Sequence, residues 1–168
     1  MKIQSISNIF FKGKPNNYAK IDEHITRSAQ PLKDDFAWLK EQGVTDIINF
    51  RFMYESAIDF DEKEEVEKLG LRYHNIPTIT KRPNEEKVIA FLKLIETIKE
   101  NKGKAHIHCK AGADRTGMYA FIYKMLKGLG TLAQNEAEWY ALGYHADLYP
   151  DLKNWAKNMV IKLKNKLN

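Results

Sequence analysis

"KAHIHCKAGADRTG", residues 104–117, changes its periodicity midway. "KAHIH" (104–108) alternates like a strand, small residues and a glycine follow, and from Arg115 the run "RTGMYAFIYKMLKG" (115–128) has helical spacing. A strand passing through a tight loop straight into a helix is the unit from which α/β folds are built, and sites in those folds form just beyond the carboxyl ends of strands. Outward from this stretch the same alternation continues. "NEEKVIAFLKLIETIKE" (84–100) places apolar residues at 88, 91, 92, 95 and 98 behind a cap at Asn84. "LRYHNIP" (71–77) and "TDIINF" (45–50) read as strands, and "DEKEEVEKLG" (61–70) and "DDFAWLKEQG" (34–43, with Asp34 as N-cap) as glycine-ended helices. "YAKIDEHITRSAQP" (18–31) alternates and breaks at Pro31, while 131–143 and 150–166 are helical. The prediction is an α/β single domain, with a central, mostly parallel four- to five-stranded sheet flanked by helices. It spans 18–168 behind an N-terminal extension at 1–17.

The composition suits such a domain: 168 residues, 43% hydrophobic and 29% charged. A formal charge of +5 favours anionic partners without choosing among them. Nucleic acid is not expected, because the lysines are not interleaved with aromatic residues in a platform. The single cysteine, Cys109, forms no intrachain disulfide, which fits a reducing compartment and leaves a free thiol. The start "MKIQSISNIFFKGKPNNY" lacks the apolar core and cleavage site of a signal peptide, and no apolar stretch approaches a membrane span. A cytoplasmic monomer is expected, with export by an unrecognised signal left open.

The loop has its own chemistry. Gly112, between Ala111 and Ala113, allows a tight curl in which the N–H groups of Lys110, Ala111, Gly112, Ala113, Asp114 and Arg115 turn inward as a nest for an anion. The following helix adds the positive end of its dipole, and Arg115 adds a planar fork for two oxygens of one phosphate. Cys109 lies at the floor of this cradle, where the field favours its thiolate. A thiolate beneath a bound phosphate is a nucleophile aimed at phosphorus.

"HCKAGADRTG" resembles the His-Cys-x5-Arg-Ser/Thr-Gly loop of the cysteine-dependent protein tyrosine phosphatases, and the chain length resembles their compact dual-specificity branch. "ITRSAQP" (25–31) and "IINFR" (47–51) are similar to stretches in bacterial and fungal members. The resemblance implies a metal-free, cofactor-free phosphomonoester hydrolase. Cys109 would form a phosphocysteine, Arg115 bind the equatorial oxygens, Thr116 donate to the departing thiolate, and His108 brace the loop. Substrates would be phosphotyrosine or mixed phosphoproteins. Inositol phosphates or phosphoinositides are the alternative, because Lys110 matches one of two lysines of such enzymes while Ala113 replaces the other.

Family members carry an acidic residue about thirty positions before the cysteine to protonate the leaving group. In "NIPTITKRPNEE" (75–86) Thr80 stands there instead. Asp114 is the replacement candidate, with pairing to a neighbouring cation as its other reading; Asp59 and Asp61 are further candidates. Glu85 and Glu86 read as first-turn helix carboxylates. If no acid is present, the domain is a slow phosphate-binding pseudophosphatase.

Other features have plainer readings. His106 and His108 share a strand face from which Cys109 points away, and no fourth ligand sits at a zinc interval. Lys81 and Arg82 lie on the loop expected to face the site. His24, His74 and His145 read as surface or packing residues, and Tyr18 as packing at the start of the domain. Leu152, Trp155, Ala156, Met159 and Leu163 form one face of the last helix, with lysines largely elsewhere. This is a helix docked on the core, or one touching an anionic membrane surface.

Overall fold

The computed structural model describes residues 13–55 and 58–167. The expected N-terminal extension therefore lies outside the described residues up to residue 12. The elements run β1 (Ala19–Lys20), β2 (Ile25–Ser28), α1 (Asp35–Glu41), β3 (Asp46–Asn49), α2 (Glu62–Lys68), β4 (Arg72–Asn75), α3 (Glu85–Glu100), β5 (Ala105–His108), α4 (Arg115–Leu126), α5 (Leu132–Ala141) and α6 (Leu152–Leu167). The sheet order is β1-β2-β5-β3-β4, parallel except for the short β1–β2 hairpin. The α/β expectation and the strand positions hold.

Alternation within each strand divides the core between two faces. In β3, Ile47 joins Phe36 and Leu39 of α1 and Val66 of α2, while Ile48 joins the larger cluster built with α3, α4, α5 and α6. The predicted stripe of α3 is the buried one: Val88, Phe91, Ile95 and Ile98 face inward. Phe91 packs edge-on to Phe50 and Tyr119, which stack with centroids 4.0 Å apart. Asn84 caps α3 and Asp61 caps α2 through their side chains. Asp34 occupies the N-cap of α1 but makes no capping bond; the carboxylate of Asp35 accepts from Leu32 N instead. The apolar face of α6 lies against the core with Leu152, Ala156, Met159, Val160 and Leu163 buried. Several of its lysines are paired: Lys157 with Glu136, and Lys162 and Lys166 with Glu85. No helix among the described residues is long and apolar enough to cross a membrane.

Register sets the position of the site. Ser28, His108 and Asn49 stand side by side at the carboxyl ends of β2, β5 and β3. The segments beginning at Ala29, Cys109 and Phe50 therefore emerge together at one edge of the sheet.

At the opposite end of β3, Asp46 is fully buried and accepts hydrogen bonds from Thr45, Arg72 and His74. Burial pushes its carboxyl up, but the bonds from His74, Arg72 and Thr45 outweigh this and bring it down to about 2. A folded-state value below the unfolded one stabilises the fold above about pH 4, and that contribution disappears as pH falls through the folded value. Urea unfolding should show Asp46→Asn less stable than the wild type by about 2 kcal/mol at neutral pH. That gap should close between about pH 4 and pH 2, and a pH-independent gap would contradict the assignment.

Candidate active site

The curl at 109–114 is held from outside. The carbonyl of Lys110 accepts from Gln30 N, that of Ala111 from Asn17 Nδ2, that of Gly112 from Arg27 Nη2, and that of Ala113 from Trp139 Nε1, at 2.5–3.1 Å. With its carbonyls turned outward, the backbone directs its N–H groups to the other side. None of the N–H groups of residues 110–115 donates to a described protein acceptor. They are unpaired donors at the head of α4, the kind of arrangement that can hold an anion.

Two glycines make these approaches feasible. Gly112 has φ +69°, and a Cβ there would sit 2.4 Å from the Ser28 carbonyl carbon and 2.5 Å from Ala29 N. A Cβ on Gly117 would sit 2.0 Å from Trp139 Nε1, so this glycine is what lets the indole reach the Ala113 carbonyl. The glycine of "RTG" thus has a packing role that the sequence did not reveal.

Cys109 is 2% exposed at the floor of the loop. Two arginines face it. Burial lowers the Arg115 guanidinium, but its hydrogen bond to Glu55, the charge of Cys109 and the charge of Glu55 outweigh that and raise it. The hydrogen bonds of Arg115 go to Glu55 and to the Phe50 carbonyl. Arg27, 1% exposed, is lowered to about 10 by burial, opposed by the charges of Cys109 and Glu138. Thr116 Oγ1 is buried without a hydrogen-bond partner among the described residues, a hydroxyl free to donate.

Glu55 fixes Arg115 with both oxygens, at 2.5 Å and 2.9 Å, and also meets Arg51. Burial raises its carboxyl, but Arg115 and the Phe52 N–H take it down to about 2. His108 is fully buried and bonds Glu62 Oε1 through Nε2 at 2.7 Å, with Nδ1 3.3 Å from the Cys109 carbonyl. Glu62 also accepts from Gln30 and Asn49; burial raises its carboxyl, but His108 and these bonds leave it below the usual range. His108 thus has a buried partner, Glu62, which reading the sequence missed. His106 has both ring nitrogens engaged, by Thr26 and Ser28, and burial, with the charges of His108 and Lys104, holds it neutral.

The remaining candidates separate. Lys110 and Ala111 are exposed on the outer side of the loop, and Ala113 is buried. Lys81 and Arg82 are exposed, and Thr80 is half-buried in a cleft with Lys81 and Leu148. Thr78, not Thr80, ties the segment after β4 to the core, through Tyr119 at 2.8 Å. Asp61 is engaged as the α2 cap, Asp59 is exposed, and Glu85 pairs with α6. Asp114 meets His145: Oδ1 accepts from the His145 backbone N–H at 2.9 Å, and Oδ2 lies 3.0 Å from Nδ1. His145, read from sequence as a surface or packing residue, is paired. His74 likewise has Asp46.

Comparison with known proteins gives a consistent picture. The model of the family Tc-R-P, polymorphic toxin system DSP-PTPase phosphatase, matches residues 23–129. The dual specificity protein phosphatase TpbA of Pseudomonas aeruginosa (strain UCBPP-PA14) is 26% identical over 110 residues, covering 66% of this chain and 47% of that protein. The chain thus spans about half the length of that relative. A DUF442 protein of Shewanella putrefaciens CN-32 has a crystal structure with TM-score 0.73 at 26% identity, covering 96% of this chain and 98% of that one. The crystal structure of a P. aeruginosa TpbA variant in complex with phosphotyrosine gives TM-score 0.70 at 20% identity, over 89% of this chain and 91% of that one.

The loop geometry makes a direct prediction. Gly112→Ala, which combines a strained φ with a collision against β2, should weaken inorganic phosphate or vanadate binding by about tenfold or more, measured by calorimetry. Gly128→Ala is the matched control, with φ +68° and nothing within 4 Å of the added Cβ. Its anion affinity should be that of the wild type.

Proposed function

The chain belongs to the polymorphic-toxin-system DSP-PTPase phosphatase family, and from that premise we propose that it hydrolyses phosphomonoesters of proteins, phosphotyrosine foremost, through a phosphocysteine at Cys109. The observation that carries this reading is the cradle: a buried sulfur, an arginine at the head of the next helix held by Glu55, and N–H groups left unpaired while their carbonyls are captured elsewhere. Bound phosphate receives hydrogen bonds from the N–H groups of 110–115 and from Arg115, which strengthen as charge builds on the equatorial oxygens. Cys109 Sγ bonds to phosphorus as the ester P–O bond breaks and the leaving oxygen takes a proton. Water then attacks phosphorus, the S–P bond breaks, and the Thr116 hydroxyl donates to the returning thiolate. Anion binding and charge stabilisation are supplied by the loop, so no metal or cofactor enters the proposal.

Phosphotyrosine is favoured by the rim. Met53 and Tyr54 after β3, Ile79 after β4, and Leu148 on the turn that carries His145 are exposed apolar side chains on segments at this edge of the sheet. They suit an aryl ring better than a polyol. The phosphotyrosine complex of TpbA supports the same choice. The apolar face of α6 is engaged by the core, so no membrane surface is included.

The test is phosphate release from a phosphotyrosine peptide, a phosphothreonine peptide, soluble inositol phosphates and phosphoinositide vesicles, with Cys109→Ser alongside. Release should be led by the phosphotyrosine peptide. Cys109→Ser should lose turnover while retaining phosphate affinity within a few-fold, because the cradle is backbone. Turnover that survives in Cys109→Ser, or release led by inositol compounds, would overturn the mechanism or the substrate class respectively.

A further inference from the structure

Phosphate ester cleavage needs a proton for the leaving oxygen, and the carboxylates near Cys109 are nearly all engaged elsewhere. The segment 76–84 contains no acidic residue. Glu55 is clamped on Arg115 and Arg51 and held down to about 2, so it carries no proton at neutral pH. Glu62 is buried on His108 and also kept below the usual carboxylate range. Asp61 caps α2. Asp59 is exposed and forms no hydrogen bond or ion pair with the loop among the described residues. Asp114 lies in the loop itself, directly before Arg115, and both of its oxygens accept from His145.

That arrangement assigns the tautomer. A carboxylate oxygen 3.0 Å from Nδ1 requires the proton on Nδ1. The opposite nitrogen, Nε2, has no hydrogen-bond partner among the described residues, and the side chain is 48% exposed while Asp114 is 13% exposed. Local packing places the ring there. Gly143, with φ +94°, ends α5 beside the loop, and a Cβ there would lie 3.6 Å from the Ala113 Cβ. Tyr144 then turns inward against Trp139, with ring centroids 4.7 Å apart. The backbone reaches Asp114 at the next residue. Trp139, which holds the Ala113 carbonyl, therefore also underpins the turn that carries His145.

We propose that His145, oriented by Asp114, is the proton donor and acceptor of the reaction. A carboxylate that fixes the tautomer of an imidazole and stabilises its protonated form, leaving the far nitrogen exposed, is the division of labour found in nucleophile–histidine–carboxylate catalysis. As Sγ–P forms and P–O breaks, the Nε2 proton passes to the leaving oxygen. As water attacks the phosphocysteine, the neutral Nε2 takes one of its protons, which restores the starting state. Asp114 is then the positioning residue. This inference rests on the phosphatase reading and names its missing acid. The ionisable groups about the pair are Arg115, next to Asp114 and held by Glu55; Tyr140 and Tyr144 from the α5 side; Lys153 from α6, which bonds Tyr140; and Asp147, two residues along the turn.

The experiment compares p-nitrophenyl phosphate, whose leaving group needs little protonation, with phenyl phosphate, whose leaving group needs more. The proteins are the wild type, His145→Asn, His145→Ala and Asp114→Asn. The amide introduced by His145→Asn can still donate to Asp114 from the place of Nδ1, but carries nothing at the place of Nε2. His145→Asn should lose about 10²-fold in kcat on phenyl phosphate and far less on p-nitrophenyl phosphate. Added imidazole should restore part of the His145→Ala rate on phenyl phosphate. Wild-type-like rates in His145→Asn would reduce His145 to holding Asp114 and overturn the proposal, as would equal losses on both substrates. Phosphate affinity of each variant, measured in parallel, reports whether the loop has kept its shape. A wild type that releases phosphate from neither aryl ester would instead defeat the phosphatase reading itself.

Discussion

The outward capture of the loop carbonyls is the constraint on which the site depends. A curl of six peptide units has as many acceptors as donors, and without external partners either set could turn toward the centre. Four donors from separate parts of the chain, Gln30 N, Asn17 Nδ2, Arg27 Nη2 and Trp139 Nε1, hold the carbonyls of residues 110–113. The N–H groups are thereby committed inward before any anion arrives. Dipoles fixed by folding in this way need no reorganisation when charge develops beside them.

Around that cradle the charges are nested. Arg115 is fixed by Glu55, and Glu55 also meets Arg51. His108 is fixed by Glu62, and Glu62 also holds Gln30 and Asn49. Arg115 and His108 are thus each oriented by a carboxylate that is itself multiply bonded, which limits rotamer freedom around Cys109. The same pairings make both glutamates poor proton donors. On the other side of the loop the α5–α6 turn meets Asp114, whose carboxylate pairs with His145 and not with an arginine or a lysine.

The strands, the helices and their approximate ends were legible because the periodicity is local: a strand shows its alternation and α3 its stripe without reference to the rest of the chain. Cys109, Arg115 and the glycine loop were legible because they lie within one stretch and the loop's geometry is itself local. Glu55, Glu62, Arg27, Trp139 and His145 were not. Each lies 26 to 85 residues from its partner in the loop or the adjoining strand and helix, and nothing in its local spacing marks it. Asp34 is the instructive case at short range, since a sound N-cap residue was passed over for Asp35, whose carboxylate reaches back to Leu32 N.

The sequence by itself determined the α/β architecture, the single thiol and the glycine loop that follows it, because strand periodicity and a glycine's backbone freedom are properties of neighbouring residues. Only the tertiary structure decided which carboxylate meets which cation. Those pairings follow from the register that sets Ser28, His108 and Asn49 abreast and from the glycine that ends α5, and both are set by packing between segments far apart in the chain. Charge pairing acts through space over a few ångströms, so a carboxylate's role is fixed only once the fold has chosen its neighbours.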